Sequence, residues 1–382
     1  MNCSDKKPLL SRLSKLFCTL VYLGVGVAGG VRFATVYLAR ASSFQLGGYL
    51  VAMGLFLLAV YVSMVLQTAL HEAGHLVFGL LTGYRFCSFR LFGLMLKAEQ
   101  GRLRFRRMKV AGTSGQCLML PPPMQGQHLP YVWYNLGGVL FNFISAVVLF
   151  ALCGLVGGYA GAVLFTAGCI GLAMGVLNGV PMRVGYVDND GANLLAVHRG
   201  QGAPYAFWVQ LMVNYSLGQG QRLGDMPDQW FVPTPGANLQ NPLVATQQVL
   251  YCNRLMDTNN FAAALPAMQQ LCSGSAITGL HRHLLTCDII YCLLLTGDIT
   301  GAKAAITKSQ RQFMLAMRVN PGVARTIYLL SLVGGWPPDN NPQNTLAHFQ
   351  RTLRYYPYPA DAKAEYQLVQ LAKQTLNQKA DS

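Results

Sequence analysis

Acidic residues are scarce in this chain, with 14 Asp and Glu among 382 residues against 29 Lys and Arg. The shortage leaves few carboxylates for acid–base or metal chemistry. It is also uneven. Up to residue 130 the acids are Asp5, Glu72 and Glu99, beside 14 basic residues, whereas the remainder carries 11 acids and 15 basic residues. The resulting formal charge of +15 is one that nucleic acid would attract, but the basic residues flank or interrupt strongly apolar segments. That placement favours anionic lipid headgroups as partners and argues against nucleic acid.

Other features are missing as well. The ten cysteines include no CxxC pair, and several sit inside apolar runs. Buried free thiols facing a reducing, cytosolic side are expected, not a disulfide framework. The apolar region shows no two-fold internal repeat, which counts against a transporter built from paired halves.

Long apolar runs dominate up to about residue 181, and a polar segment follows. Spans are expected at about 16–38, 46–81, 131–156 and 160–180. Lys6, Lys7, Arg12 and Lys15 precede the first, and Ala39-Arg40-Ala41 faintly resembles a cleavage site. Another apolar segment follows almost at once, so the first is read as an uncleaved helix. The second, as one straight helix, would be about 54 Å long against an apolar layer of roughly 30 Å. It must tilt, break or leave the membrane.

Residues 85–120 change character. Apolar residues such as Phe86, Phe89, Leu103 and Phe105 mix with Arg102, Arg104, Arg106, Arg107 and Lys109, and Val110 follows. Short strands at the membrane edge are expected, with Gly101 turning a hairpin, and strands within 85–110 could pair with an unwound substrate segment. Pro121-Pro122-Pro123 closes the region in extended form. The fourth span ends in Asn178-Gly179-Val180-Pro181, where a helix should unwind. Beyond it, 192–217 has helical content but is not a full span.

From about residue 240, helices are expected at 241–255, 259–272, 279–295, 299–316, 321–333 and 360–377. Their spacing resembles degenerate tetratricopeptide-like hairpins, and a plain helical bundle is the alternative. The fold class expected is a polytopic α-helical membrane protein with short edge β-strands near the active site, plus a soluble all-α, repeat-like C-terminal domain. Residues 1–215 form the membrane domain and 216–382 the soluble one. Positive-inside bookkeeping puts the N-terminus, the arginine-rich segment and the C-terminal domain on the cytoplasmic side.

Chemistry concentrates in His71-Glu72-Ala73-Gly74-His75, towards the end of the second span. Histidines four apart share one helix face, so both imidazoles can reach one metal ion. Glu72 can approach water on the metal's open side. Ionisable residues in such an apolar run are costly unless they serve a site. A third, oxygen ligand is needed, and Glu99, Asp188 and Asp190 are the nearby acids. Asp190 follows the return crossing and precedes Gly191, and Asp188 competes with it.

These residues carry a resemblance. The chain resembles the site-2-protease class of intramembrane zinc metalloproteases, over roughly residues 46–195. His71-Glu72-Ala73-Gly74-His75 is similar to that class's HExxH helix. Gly138-Val139-Leu140-Phe141-Asn142 is similar to its glycine-rich motif ending in asparagine, with Val139 where proline is usual. Asn178, Pro181, Asp190 and Gly191 are similar to its third motif, with an enlarged segment between Asn178 and Asp190.

The resemblance implies one Zn2+ per chain held by His71, His75 and Asp190, with Glu72 as the catalytic base of a zinc-dependent endopeptidase. Asn142 or Asn178, with Gly138 and Gly191, would support the site or the substrate main chain. Equally, each asparagine could satisfy unwound backbone within the bilayer. A membrane protein or peptide would be the substrate, in a bacterial-type cell membrane, and the C-terminal domain could dock a regulatory protein. Two alternatives are a catalytically silent membrane scaffold or chaperone, and a transporter.

Overall fold

The structure, a computed structural model, describes all residues except 1–8, 41–44, 100, 109–113, 125, 127, 185, 233–234, 335, 337–340 and 381–382. Lys6, Lys7, Ala41, Lys109 and Val110 lie outside the described residues, as do the side chains of Arg12 and Lys15.

Four long apolar sequences form four helices of membrane-crossing length: α1 (Leu9–Arg40), α2 (Leu46–Leu81), α3 (Tyr131–Leu155) and α4 (Gly158–Gly179). Leu20, Leu23, Val31, Leu57, Leu58 and Leu66 point outward from α1 and α2, a face suited to acyl chains. The 36 residues of α2 form one continuous helix. It does not break, so its excess over the apolar layer is met by tilt or by emergence.

Small residues set how closely these helices pack. A Cβ on Gly74 of α2 would strike the Gly137 carbonyl of α3, and one on Gly137 would strike the Gly74 carbonyl. Gly171 of α4 leaves room for Gln67 of α2, whose Nε2 would lie 2.7 Å from an added Cβ. Through these contacts α2, α3 and α4 form the bundle that holds the site.

Between α2 and α3 lies an antiparallel sheet of β1 (Arg85–Leu91), β2 (Leu94–Glu99), β3 (Arg102–Arg107) and β4 (Gly115–Leu120), ordered β3-β2-β1-β4. The β1–β2 turn is Phe92-Gly93, with φ of 47° and 91°, and Gly101 (φ 75°) turns β2 into β3 as expected. Positive φ at both central positions matches the right-handed strand twist of a tight hairpin. Strand β4 packs beside α2, whereas β3 forms the outer edge and exposes Leu103 and Phe105.

After α4 the chain makes a small hairpin, β5 (Arg183–Val184) and β6 (Val187–Asp188), and then α5 (Asp190–Arg199) and α6 (Ala203–Gly218). An all-α region follows: α7 (Pro242–Asp257), α8 (Phe261–Gly274), α9 (Gly279–Thr296), α10 (Ile299–Ala304), α11 (Lys308–Ala316), α12 (Pro321–Leu332), α13 (Pro342–Tyr355) and α14 (Pro359–Ala380). Helices α7 to α13 each begin at a side chain that accepts a first-turn N–H: Asn241, Asn260, Thr278, Asp298, Thr307, Asn320 and Asn341. Such caps satisfy donors that the helix itself leaves open.

The sequence reading differs here in two places. The helix expected at 299–316 is two helices, because Thr307 caps a fresh start. Helix α13 was not anticipated.

Arginine is buried in the core of this region. Arg325 on α12 donates to Glu365 on α14 at 2.8 Å and to Asp288 on α9 at 2.5 Å, and lies 4.8 Å from the Tyr291 ring centroid. The region also grips the sheet. Lys97 of β2 donates to the Pro357 carbonyl at 3.0 Å and lies over the Tyr358 ring.

Removing Arg325 would strand two carboxylates that it now pairs. Arg325→Ala is expected to destabilise the helical region by about 3–5 kcal/mol, read as a lower unfolding midpoint of the full-length protein in detergent.

Candidate metal centre

The periodicity of α2 puts His71 and His75 one turn apart on its buried face. Asp190 comes from elsewhere, at the first position of α5. Its Oδ2 lies 2.9 Å from His71 Nε2 and 3.5 Å from His75 Nε2, and the two Nε2 atoms are 3.2 Å apart. Among the described residues, these three form a group whose ligand atoms all lie within 4.8 Å of one another.

The outer ring nitrogens show which way the imidazoles are committed. His75 Nδ1 lies 2.7 Å from the Tyr134 carbonyl, which only accepts, so Nδ1–H is the donor. His71 Nδ1 lies 2.7 Å from Asn142 Oδ1. The Asn142 amide nitrogen donates to the Gln67 carbonyl at 3.0 Å and to Gln67 Oε1 at 2.9 Å. Its oxygen therefore faces His71 and accepts from it. Both Nδ1 protons are engaged, leaving both Nε2 lone pairs directed inward, the arrangement that metal-binding histidines adopt.

The inward atoms are three potential ligand atoms at short range, an arrangement that a cation between them would satisfy. Metal–ligand bonds of about 2.0–2.1 Å in a tetrahedral site separate ligand atoms by about 3.3 Å. The observed separations of 2.9, 3.2 and 3.5 Å bracket that value, so the three residues fit a small tetrahedral cation such as Zn2+.

Backbone close approach makes the arrangement possible. The imidazoles stand over Gly138 of α3, where an added Cβ would come within 2.6 Å of both Nε2 atoms. A Cβ on Gly191, next to Asp190, would strike the Gly179 carbonyl at the end of α4.

Glu72 is buried on α2 beside the group. Its carboxylate accepts the Cys117 backbone N–H of β4. It also packs over Gly115, where an added Cβ would lie 2.8 Å from Cδ. Tyr134 Oη donates to the Cys117 carbonyl at 2.8 Å. The outward-facing groups of Cys117 are thus taken up by α2 and α3, while β3 is the outer edge.

The remaining candidates are placed elsewhere. Asp188 is held by Arg183 at 2.6 and 3.0 Å and does not join the histidines. Glu99 pairs with Lys97 and Arg106. Asn178 donates to the Met174 carbonyl, one turn back in its own helix. The backbone role expected of it belongs to Asn189, which accepts from the N–H groups of Met182 and Ala192 and donates to the carbonyls of Leu177 and Val180.

Two contributors escaped the sequence reading. Asn189 is one. The other is Gln67, one turn before His71, which links α2 to α3 through Asn142 and Ser145 and to α4 through the Ala167 carbonyl. A buried glutamine at that spacing in an apolar helix was the available signal. No family model, curated protein or solved structure matches the chain.

Asn142→Ala would free His71 to rotate and is expected to weaken Zn2+ affinity by about 10- to 100-fold. Asn178→Ala, one turn from nothing in the group, should leave it unchanged. Competition against a chromophoric chelator reads both.

Proposed function

We propose that this protein is a zinc-dependent intramembrane endopeptidase of the site-2-protease class, hydrolysing peptide bonds in membrane-associated proteins or peptides. The observation that carries the reading is the convergence of two committed Nε2 lone pairs and one carboxylate oxygen, beside a buried glutamate, within a bundle of membrane-crossing helices. His71, His75 and Asp190 would hold one Zn2+ ion. When bound, the ion supplies Lewis acidity, making water acidic enough to attack at neutral pH and polarising the peptide carbonyl.

The chain's own residues divide the remaining work. Glu72 carboxylate oxygen takes the proton of the attacking water and delivers it to the leaving amine nitrogen. Its bond to the Cys117 N–H keeps that carboxylate oriented. Asn142 Oδ1 and the Tyr134 carbonyl hold the Nδ1 protons of the two histidines, so neither ring turns during the reaction. The buried surroundings keep bulk water away from these groups.

The outer edge of β3, with Leu103 and Phe105 exposed, offers main-chain groups on which an outlying part of a substrate can dock as a further strand, three strands away from β4 and the Glu72 it packs against. Basic residues of the sheet would face anionic headgroups on the cytoplasmic side. The C-terminal helices would offer a surface for a regulatory protein.

The direct test uses purified wild type and Glu72→Gln in detergent, assayed for bound metal and for cleavage of single-span membrane peptides. One Zn2+ in each protein, with cleavage reduced at least 100-fold in the variant, is the expected result. Metal-free protein from a metal-replete preparation, inactive in both forms, would instead indicate a membrane scaffold. For the strand-addition step, replacing Leu103 and Phe105 together with serine should raise KM several-fold. Unchanged cleavage would remove β3 from substrate binding.

A further inference from the structure

Gly191 packs on the Gly179 carbonyl, so the residues joining α4 to Asp190 leave the bundle and return to it, and the excursion has a destination. The β5–β6 hairpin reaches the C-terminal helical region and is fixed there by side chains and backbone. Arg183 is held by both Asp188 oxygens, at 2.6 and 3.0 Å, and sends its remaining donors to the carbonyls of Ala276 and Ile277 at 3.2 and 3.3 Å. The Tyr186 carbonyl accepts the Leu280 N–H at 3.2 Å, one of the first-turn donors that α9 leaves open.

The Tyr186 ring completes the attachment. It meets His283 and Phe313 edge-on, with centroids 5.6 and 5.7 Å away, while those two rings stack at 4.8 Å. Gly279 makes room, since an added Cβ would lie 3.0 Å from Tyr186 Cδ1. The pocket is itself rigid: His283 Nδ1 lies 2.6 Å from Gln310 Oε1, and Gln310 Nε2 donates to the His283 carbonyl.

The other end of the hairpin is tied to the membrane bundle. Asn189 spans from the carbonyls of Leu177 and Val180, at the end of α4, to the N–H groups of Met182 and Ala192. Asp190 is the next residue. The third member of the metal group therefore stands four residues from a tyrosine seated in the C-terminal region, with both flanks anchored.

We propose that Tyr186 is a positioning residue: seated between α9 and α11, it makes the placement of Asp190 over His71 and His75 depend on the C-terminal helical region. This rests on the metal-centre reading above and adds to it a route by which whatever binds those helices sets the affinity and reactivity of the site. Tyr186 touches neither the group nor a substrate, and its effect passes through the hairpin backbone. Its side chain is seated through the ring, so phenylalanine should replace it.

The test compares full-length wild type, Tyr186→Ala, Tyr186→Phe and Met268→Ala in detergent. Met268 is fully buried in the same helical core and is not among the hairpin contacts, so its truncation destabilises that core without touching the hairpin. Zn2+ affinity is measured by chelator competition, and peptide hydrolysis is resolved into kcat and KM. Tyr186→Ala should lose about 10- to 100-fold in Zn2+ affinity, the usual effect of removing support behind a ligand. At saturating Zn2+ it should lose kcat with little change in KM, and Tyr186→Phe and Met268→Ala should stay within about twofold of wild type. Wild-type affinity in Tyr186→Ala would overturn the inference. Equal losses in Met268→Ala and Tyr186→Ala would also overturn it, by tracing the effect to general destabilisation. A wild-type protein that binds no Zn2+ would overturn the metal-centre reading and this inference with it.

Discussion

The close approach of α2 and α3 at Gly74 and Gly137 is the constraint on which the site depends. Each helix presents a bare Cα to the other's carbonyl, so the backbones meet where any side chain would hold them apart. One residue further along α3, Gly138 receives the two imidazoles. One turn beyond that, Asn142 meets His71. Separating these helices by the width of a methyl group would leave His71 without its acceptor and the pair of rings without a floor. The metal group is thus a consequence of helix packing as much as of ligand identity.

Polar groups in an apolar bundle must find partners within it, since little water is present to supply them. That demand explains why the site extends well behind its three ligand residues. Gln67 answers Asn142, Ser145 and the Ala167 carbonyl; Asn142 answers His71; the Tyr134 carbonyl answers His75. Each bond uses a donor or acceptor that would otherwise be buried alone, and each removes a rotational freedom from the site. Satisfaction and orientation are achieved by the same atoms.

Much of this was legible before the structure, for identifiable reasons. The helical repeat alone places His71, Glu72 and His75 together, and apolar length alone locates the four long helices. Asp190 could not be separated from Asp188 by spacing, because two positions along a turn-rich segment decide nothing until the turn is known. The Arg183–Asp188 pairing decides it. The backbone role expected of Asn178 falls to Asn189 for a similar reason. Asn178 is the last but one residue of α4 and bonds back to Met174, whereas Asn189 lies where the unwound chain needs donors and acceptors of both kinds. Helix α13 had a visible signal. Asn341-Pro342 repeats the cap-and-proline start of Asn241-Pro242 and Asn320-Pro321, but its weakly apolar sequence masked it.

The ligand set is split between two kinds of support, and the split has consequences. His71 and His75 belong to one continuous helix, so their separation is fixed by helical geometry and changes only if α2 deforms. Asp190 lies 119 residues beyond His71 and depends on Asn189, Gly191 and the hairpin for its place. A site built from three residues of one rigid element would be insensitive to the rest of the molecule. Here the two histidines share the stiffness of α2, whereas Asp190 stands on a segment that also touches the C-terminal helices. The C-terminal helices therefore meet this centre along two lines, through the hairpin to Asp190 and through the Lys97–Pro357 bond to the sheet that packs against Glu72.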